Sequence, residues 1–521
     1  MTDPIPLDRL EVVETCFTLL HRSAAEVWKR RKPVRLVFGR DRLDLTAIES
    51  RKAALLEEAK QNEELAPDVV RGIVPVTRAS DGSTRLAGEG PAIDWALWMR
   101  RLDDADRADR RLAAGALDDA GLRAVARRLA RFHERQRRPT RSDAHAFEQA
   151  LRARIALQIG APDWPRRTPL PEEVAAIEVW QRDFVDRQGA RLRARAQSDA
   201  IRQGHGELSL EHVFLDDAGE VRILAGLEAG PWLRETDVAA DVALLANDLA
   251  ARHRVDLAER FVAEYARLAN DFDLYPLLDF HASVCAAMRA KLDWLAADRE
   301  VAGSPAERRY RERARHFLAL ARAAPRRPLL PPIVVAMGGQ VASGKSTVAL
   351  HIARRIGAPV VGSDPTRDYL LGARLDEDLH EARWEEAFEP GFAARVYTEV
   401  LRRAGEVLRS GRPVVIDGCF RSSRQRLEAR ALAERFDLPF VFVEARVSPE
   451  IQHQRLAERA ARDGVPIDDW QQIADRLRAQ WEPVHELPAD QHLALDTGLP
   501  LEENALEIEA RLPTWPATLT G

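Results

Sequence analysis

The stretch GGQVASGKST places Gly339, Gly344, Lys345 and Ser346 at the spacing G-x-x-x-x-G-K-S. Glycines at those positions let backbone N–H groups curl around phosphate oxygens, and a helix that follows adds the positive end of its dipole. Lys345 can then reach the β- and γ-phosphates of a nucleotide, and Ser346 can ligate Mg2+. The expected cradle is Gly339, Gln340, Val341, Ala342, Ser343, Gly344, Lys345, Ser346 and Thr347, with ATP and Mg2+ as its ligands.

Further groups suited to phosphoryl transfer lie downstream. Asp364 and Arg367 form S-D-x-x-R; the Asp can accept a proton from an attacking hydroxyl and the Arg can hold an anionic group or the transferred phosphate. Asp417 closes the apolar run VVID, where a carboxylate that supports Mg2+ is expected. Arg455, Arg459 and Arg462 in RLAERAARDG recur at helical spacing, so three guanidiniums can close over a triphosphate as a lid. Arg424 in RSSRQR is a further substrate-binding candidate.

Strands must deliver these groups to one edge. IVVAMGG (333–339), PVVGSD (359–364), PVVIDG (413–418), FVFVEARV (440–447) and HLALDT (492–497) are short apolar runs of the kind buried on both faces of a parallel sheet. Helical stretches alternate with them, which predicts a three-layer α/β domain over 333–521 with ligands at the C-terminal strand ends. The proline-rich ARAAPRRPLLPP at 321–332 reads as a linker. Residues 1–320 are rich in helix formers; GLRAVARRLARFH sets Leu122, Val125, Leu129 and Phe132 on one face, and DVAADVALLANDLAA (237–251) carries a similar stripe.

Taken together, GGQVASGKST, GSDPTRDYLLG, VVIDGCF and the later arginine helix resemble the zeta-toxin, gluconate-kinase and polynucleotide-kinase group of P-loop kinases, over roughly 333–500. The resemblance implies ATP-dependent phosphorylation of a hydroxyl, with Asp364 as base and Lys345 and the lid arginines as charge stabilisers. It names no acceptor, since members of that group act on sugar acids, nucleotide sugars, antibiotics and nucleic-acid 5′ ends.

The first half carries a second pattern. VWKRRKPVRLVF, the helix KAALLEEAKQNEELAPDVV, RFHERQ, GHGELSLEHVFLDDAGEVRILAGLEA and TDVAADVALLANDL resemble the aminoglycoside-phosphotransferase type of kinase fold, an α+β, protein-kinase-like domain, over roughly 1–320. Such a domain followed by a P-loop domain resembles a bacterial two-domain family described as bifunctional phosphotransferase/ATP-binding protein. The resemblance gives Lys29 the phosphate-contacting role and Glu57 or Glu58 that of its ion-pair partner. It sets Glu207 in place of the catalytic Asp, His212 in place of the metal-binding Asn, and Ala225 in place of the second metal-binding Asp. The added methylene of Glu207 displaces its carboxylate by more than about 1 Å, a shift that can cost about 100-fold, and Ala225 offers no ligand atom. Catalytic inactivity of this half is expected; Glu228, Asp216 and Asp217 are possible stand-ins, and His205 is expected to be a bonded core residue.

Bulk properties bound the partners. The 521 residues are enough for two or three domains, and 78 basic against 83 acidic side chains leave a net charge of -5, so no global field draws the chain to nucleic acid or to anionic membrane. No apolar run approaches the roughly 20 residues of a membrane span, and the acidic start MTDPIPLDRLEVVE has no signal core, so a cytoplasmic protein is expected. Cys16, Cys285 and Cys419 are far apart and suggest neither a disulfide framework nor a zinc site. The reading that unites these features is a phosphotransferase acting on a hydroxyl-bearing small molecule through its second half. A nucleic-acid 5′-hydroxyl kinase is less favoured by charge and aromatic content, and an ATP-gated regulatory protein is the alternative from another class.

Overall fold

The structure is a computed structural model that describes residues 4–15, 18–38, 41–136, 144–158, 171–198, 200–226, 235–323, 330–373, 390–464 and 466–516. The chain divides into two compact units, one formed by Met1–His253 with Leu278–Pro325 and the other by Arg254–Leu277 with Arg326–Gly521. The later passage between them falls between Pro325 and Arg326. The earlier excursion, Arg254–Leu277, contains no glycine and a single proline, Pro276, so no proline-rich linker marks it in the sequence.

The first unit is built on a fully antiparallel seven-stranded sheet. Its strands are β1 (Ile5–Pro6), β2 (Glu11–Glu14), β3 (Thr18–Arg22), β4 (Glu26–Arg31), β5 (Val70–Arg78), β6 (Thr84–Leu86) and β7 (Ala92–Arg100), in the order β1-β6-β5-β7-β4-β3-β2. Side chains alternate across a strand, so Val27, Lys29 and Arg31 of β4 share one face. That face meets α1 (Ile48–Leu65), where Leu55 and Ala59 pack with Leu97 and Met99. The helix α2 (Asp119–Arg135) is capped by Asp118, which accepts from Gly121 N at 2.8 Å, and it buries the expected Leu122, Val125, Leu129 and Phe132. A short antiparallel pair, Val213–Leu215 with Val221–Ile223, follows the 204–212 loop, and α3 (Val238–Ala251) is buried along most of its length. The unit is α+β and helix-rich.

The second unit begins with α4 (Val255–Ala269) and continues into a five-stranded parallel sheet. Its strands are β8 (Val334–Gly339), β9 (Val360–Gly362), β10 (Val414–Asp417), β11 (Phe440–Arg446) and β12 (His492–Asp496), ordered β9-β10-β8-β11-β12. One face of alternate residues, including Val335, Met337, Val415 and Val443, packs on α5 (Lys345–Ile356) and on Leu501–Arg511. The other face receives α7 (Pro390–Arg409) and α8 (Ser423–Arg435), giving three layers. Between α5 and α7 in sequence, α6 (Ser363–Leu370) follows β9; α9 (Pro449–Asp463) and α10 (Ile467–Ala479) follow β11.

Register explains why the chemistry gathers. Asp417 lies opposite Met337 on one side and Gly362 on the other. The segments that follow these residues, 340–344, the start of α6 at 363–364, and 418–421, therefore emerge side by side at the C-terminal edge of the sheet.

Candidate active site

The loop between β8 and α5 depends on its glycines. Gly339 has φ 138° and a Cβ there would sit 2.5 Å from Ala445 O; Gly344 has φ 80° and faces Arg455 Nη1. Gly338 is packed so closely on Phe442 that a Cβ would fall 2.2 Å from the ring. Any side chain at these positions would move the backbone that is to meet a phosphate.

Polar groups outside the loop fix it. Thr497 Oγ1 donates to Ser343 O at 2.6 Å, and Gln452 Nε2 donates to Val341 O at 2.7 Å. Arg478 bridges to Gln340 Oε1 at 3.2 Å and Gln452 Oε1 at 2.6 Å. The sequence offered no motif for Gln452, Arg478 or Thr497; tertiary contact alone brings them to the loop.

Within it, Lys345 Nζ donates to Gln340 O at 2.6 Å and Ser346 Oγ donates to Asp417 Oδ2 at 2.7 Å. Burial pushes the Asp417 carboxyl above its ordinary value; the Ser346 bond and Lys345 oppose this, while the nearby Asp364 adds to it. A carboxylate in that state gains from a cation, and two adjacent hard oxygen donors suit Mg2+. Asp364 is the contrasting case. Desolvation by the neighbouring protein opposes ionisation, but Arg367, then Arg459 and Lys345, hold it below the ordinary carboxylate range. Arg367 Nη1 donates to Asp364 Oδ1 at 2.7 Å, and the Asp364 side chain keeps 60% of its exposure, open to a ligand. Two neighbouring carboxyls with opposite shifts can divide their roles, one binding a cation and one accepting a proton.

The three lid candidates diverge. Arg455 donates to Thr497 O at 2.7 Å and so borders the loop. Arg459 lies 4.0 Å over the Trp470 ring. The side chain of Arg462 lies outside the described residues. Arg424 is on the outer face of α8, 85% exposed and paired with Glu428.

Behind the site, the buried Arg403 of α7 donates to Thr366 Oγ1 of α6 and to Asn270 Oδ1, both at 3.2 Å, and bonds Glu399 at 2.9 Å. Arg412 holds Glu259 through two bonds, at 2.7 and 3.1 Å, and Arg402 reaches Asp273 at 2.7 Å. Arginines thus fasten Arg254–Leu277 to the helix and strand around the candidate base.

In the first unit, Lys29 Nζ and Arg31 Nη2 both donate to Glu58, at 2.8 and 2.6 Å. Burial opposes ionisation of Glu58, but the two cations win and its pKa is lowered. Glu57 is turned outward to Lys60. His205 is buried, with Nε2 bonded to Leu224 O at 2.9 Å and Nδ1 accepting from Glu207 N at 3.3 Å. His212 Nδ1 contacts Ser209 Oγ at 3.0 Å, and burial keeps the imidazole neutral. Ala225 is buried and its N–H donates to Asn62 Oδ1 at 2.9 Å. Glu207 and His212 converge on Gly226, where a Cβ would meet His212 Nε2 at 2.9 Å and Glu207 Oε2 at 3.2 Å. Asp216 pairs with Arg222 and Asp217 with Arg111; Glu228 lies outside the described residues.

Among the described residues no helix is long and apolar enough to cross a membrane.

Residues 334–483 match a family described as AAA domain, and the unit that holds them is a three-layer P-loop domain. Over most of its length the chain is similar to uncharacterized proteins of Mycobacterium tuberculosis and Mycobacterium bovis, each 28% identical over 486 residues, 92% of this chain and 92% of the relative. Among solved structures, a gluconokinase from Sinorhizobium meliloti is 22% identical with a TM-score of 0.23, covering 35% of this chain and 91% of its own. A choline/ethanolamine kinase family protein from Mesorhizobium loti is 13% identical with a TM-score of 0.34, covering 60% of this chain and 92% of its own.

Proposed function

We propose that the second unit is an ATP-dependent phosphotransferase that moves the γ-phosphate to a hydroxyl of a small molecule. The observation that carries this reading is the 2.7 Å bond from Ser346 to Asp417 beside a glycine-built loop, with Asp364 ionised next to them. The backbone N–H groups of 339–347 bind the phosphates, and Lys345, released from Gln340 O, neutralises the charge that develops on the transferred group. Ser346 and Asp417 would hold Mg2+, which would supply further charge neutralisation for the phosphates. The acceptor oxygen bonds to the γ-phosphorus as the bond to the β,γ-bridging oxygen breaks. The hydroxyl proton passes to an Asp364 carboxylate oxygen, and ADP carries away the bond electrons. Arg367 keeps Asp364 ionised and hydrogen-bonded; Arg455 and Arg459 contribute positive charge on the α9 side.

The first unit, in this reading, does not transfer phosphate. The Lys29–Glu58 pair is intact, but the Ala225 side chain has no ligand atom and His212 is neutral and engaged with Ser209. Transfer of label from γ-labelled ATP into a product other than inorganic phosphate tests the function. Asp364→Asn should abolish that product, and its persistence would remove Asp364 from the reaction.

A further inference from the structure

The loop after Asp417 is tied at five backbone groups. Gly418 N donates to Met337 O at 3.3 Å, Gly339 N to Cys419 O at 3.1 Å, and Phe420 N to the Tyr397 hydroxyl at 2.9 Å. The fully buried Arg426 donates to Phe420 O at 3.0 Å, and Glu482 N donates to Arg421 O at 2.8 Å. Phe420 itself is held at φ 49°, a left-handed conformation that a bulky residue adopts only when its surroundings enforce it.

What this bracing presents is Arg421. Its half-buried guanidinium makes no hydrogen bond or ion pair with any described residue, in a unit where Arg402, Arg403, Arg412 and Arg426 are all paired. The adjacent helix end is already occupied, since Glu482 Oε2 accepts from Ser423 N at 2.7 Å. Arg421 and Arg367 both lie near enough to the Tyr397 phenol to act on it electrostatically, and that phenol is bonded to Phe420 N of the loop after Asp417.

We propose that the acceptor is an anion, a hydroxyl compound bearing a carboxylate or phosphate, and that Arg421 is the residue that binds that group. This rests on the phosphotransferase reading above. A guanidinium offers a carboxylate or phosphate two parallel N–H donors, so the group is held in a fixed orientation while its hydroxyl approaches Asp364.

The test uses the full-length protein, γ-labelled ATP, Mg2+ and a nucleotide-depleted metabolite extract divided by anion exchange at neutral pH into retained and unretained fractions. Labelled product is expected from the retained fraction. Arg421→Gln should raise the acceptor KM about 10–100-fold with a smaller change in kcat, and Arg421→Lys should recover part of that loss. Thermal unfolding of each variant checks that it is folded. Product from the unretained fraction overturns the proposal while phosphotransfer stands, and so does a retained acceptor whose KM ignores Arg421→Gln. If neither fraction yields product, the phosphotransferase reading itself fails.

Discussion

Ser346 Oγ and Asp417 Oδ2 lie 2.7 Å apart, joining the first turn of α5 to the end of β10 across the mouth of the phosphate loop. Their separation follows from the parallel register that sets Asp417 beside Met337, two residues before Gly339. If these oxygens share a cation, Asp417→Asn should raise the Mg2+ concentration for half-maximal rate by about 10–100-fold. A titration of initial rate against MgCl2 reads this directly. Because burial already raises the Asp417 pKa, protons should compete with Mg2+, and the half-maximal concentration should climb as pH falls.

Arg367 controls the ionisation of the proposed base. The folded pKa of Asp364 is lowered, so its carboxylate persists through neutral pH and the acid limb of kcat/KM should fall below the ordinary carboxylate value. Arg367→Gln removes the main stabilising charge and should move that limb to higher pH. A limb that does not move would dissociate Asp364 from the rate.

Glu58 serves two buried cations at once. Glu58→Gln leaves Lys29 and Arg31 without a counter-charge and should destabilise the first unit by about 3–5 kcal/mol. Its folded pKa is depressed, so its contribution is present above the unfolded value, near 4.3, and is lost as pH falls through the folded one. Faster hydrogen exchange of β4 and α1 amides, in the variant at neutral pH and in the native chain in acid, would register both effects.

Arg403 positions α6 from behind, through Thr366, and joins it to Asn270. Arg403→Met keeps much of the volume but loses these bonds. Displacement of Asp364 by about 1 Å can cost about 100-fold in rate, so kcat should fall while nucleotide affinity changes little. Equal losses in both would indicate general unfolding of the unit.

The P-loop half was legible in sequence because its requirements are local. Strands buried on both faces read as apolar runs, and a loop that wraps phosphate needs glycine. All five predicted runs are strands of one parallel sheet. Contacts over long separations left no such trace. Glu259 and Arg412 are 153 residues apart, and the apolar stripe of α4 (Leu257, Phe261, Val262, Tyr265) says that the helix is packed, not against which unit. RSSRQR shows how fine the distinction can be. The capping box of Ser422 and Gln425 starts α8 at Ser423, which sends Arg424 to solvent and leaves Arg421 in the loop after β10. Glu57 and Glu58 are likewise adjacent in sequence, and only the packing of α1 on β4 turns Glu58 inward.

Phosphoryl transfer by full-length protein carrying either Lys345→Ala or Glu207→Ala tests most directly whether the chemistry resides in the second unit. Lys345→Ala should reduce labelled product by about 100-fold or more, and Glu207→Ala should retain most of it. The reverse pattern would contradict the account and return the reaction to the first unit. Stoichiometric ATP binding without labelled product from either protein would favour an ATP-gated regulator.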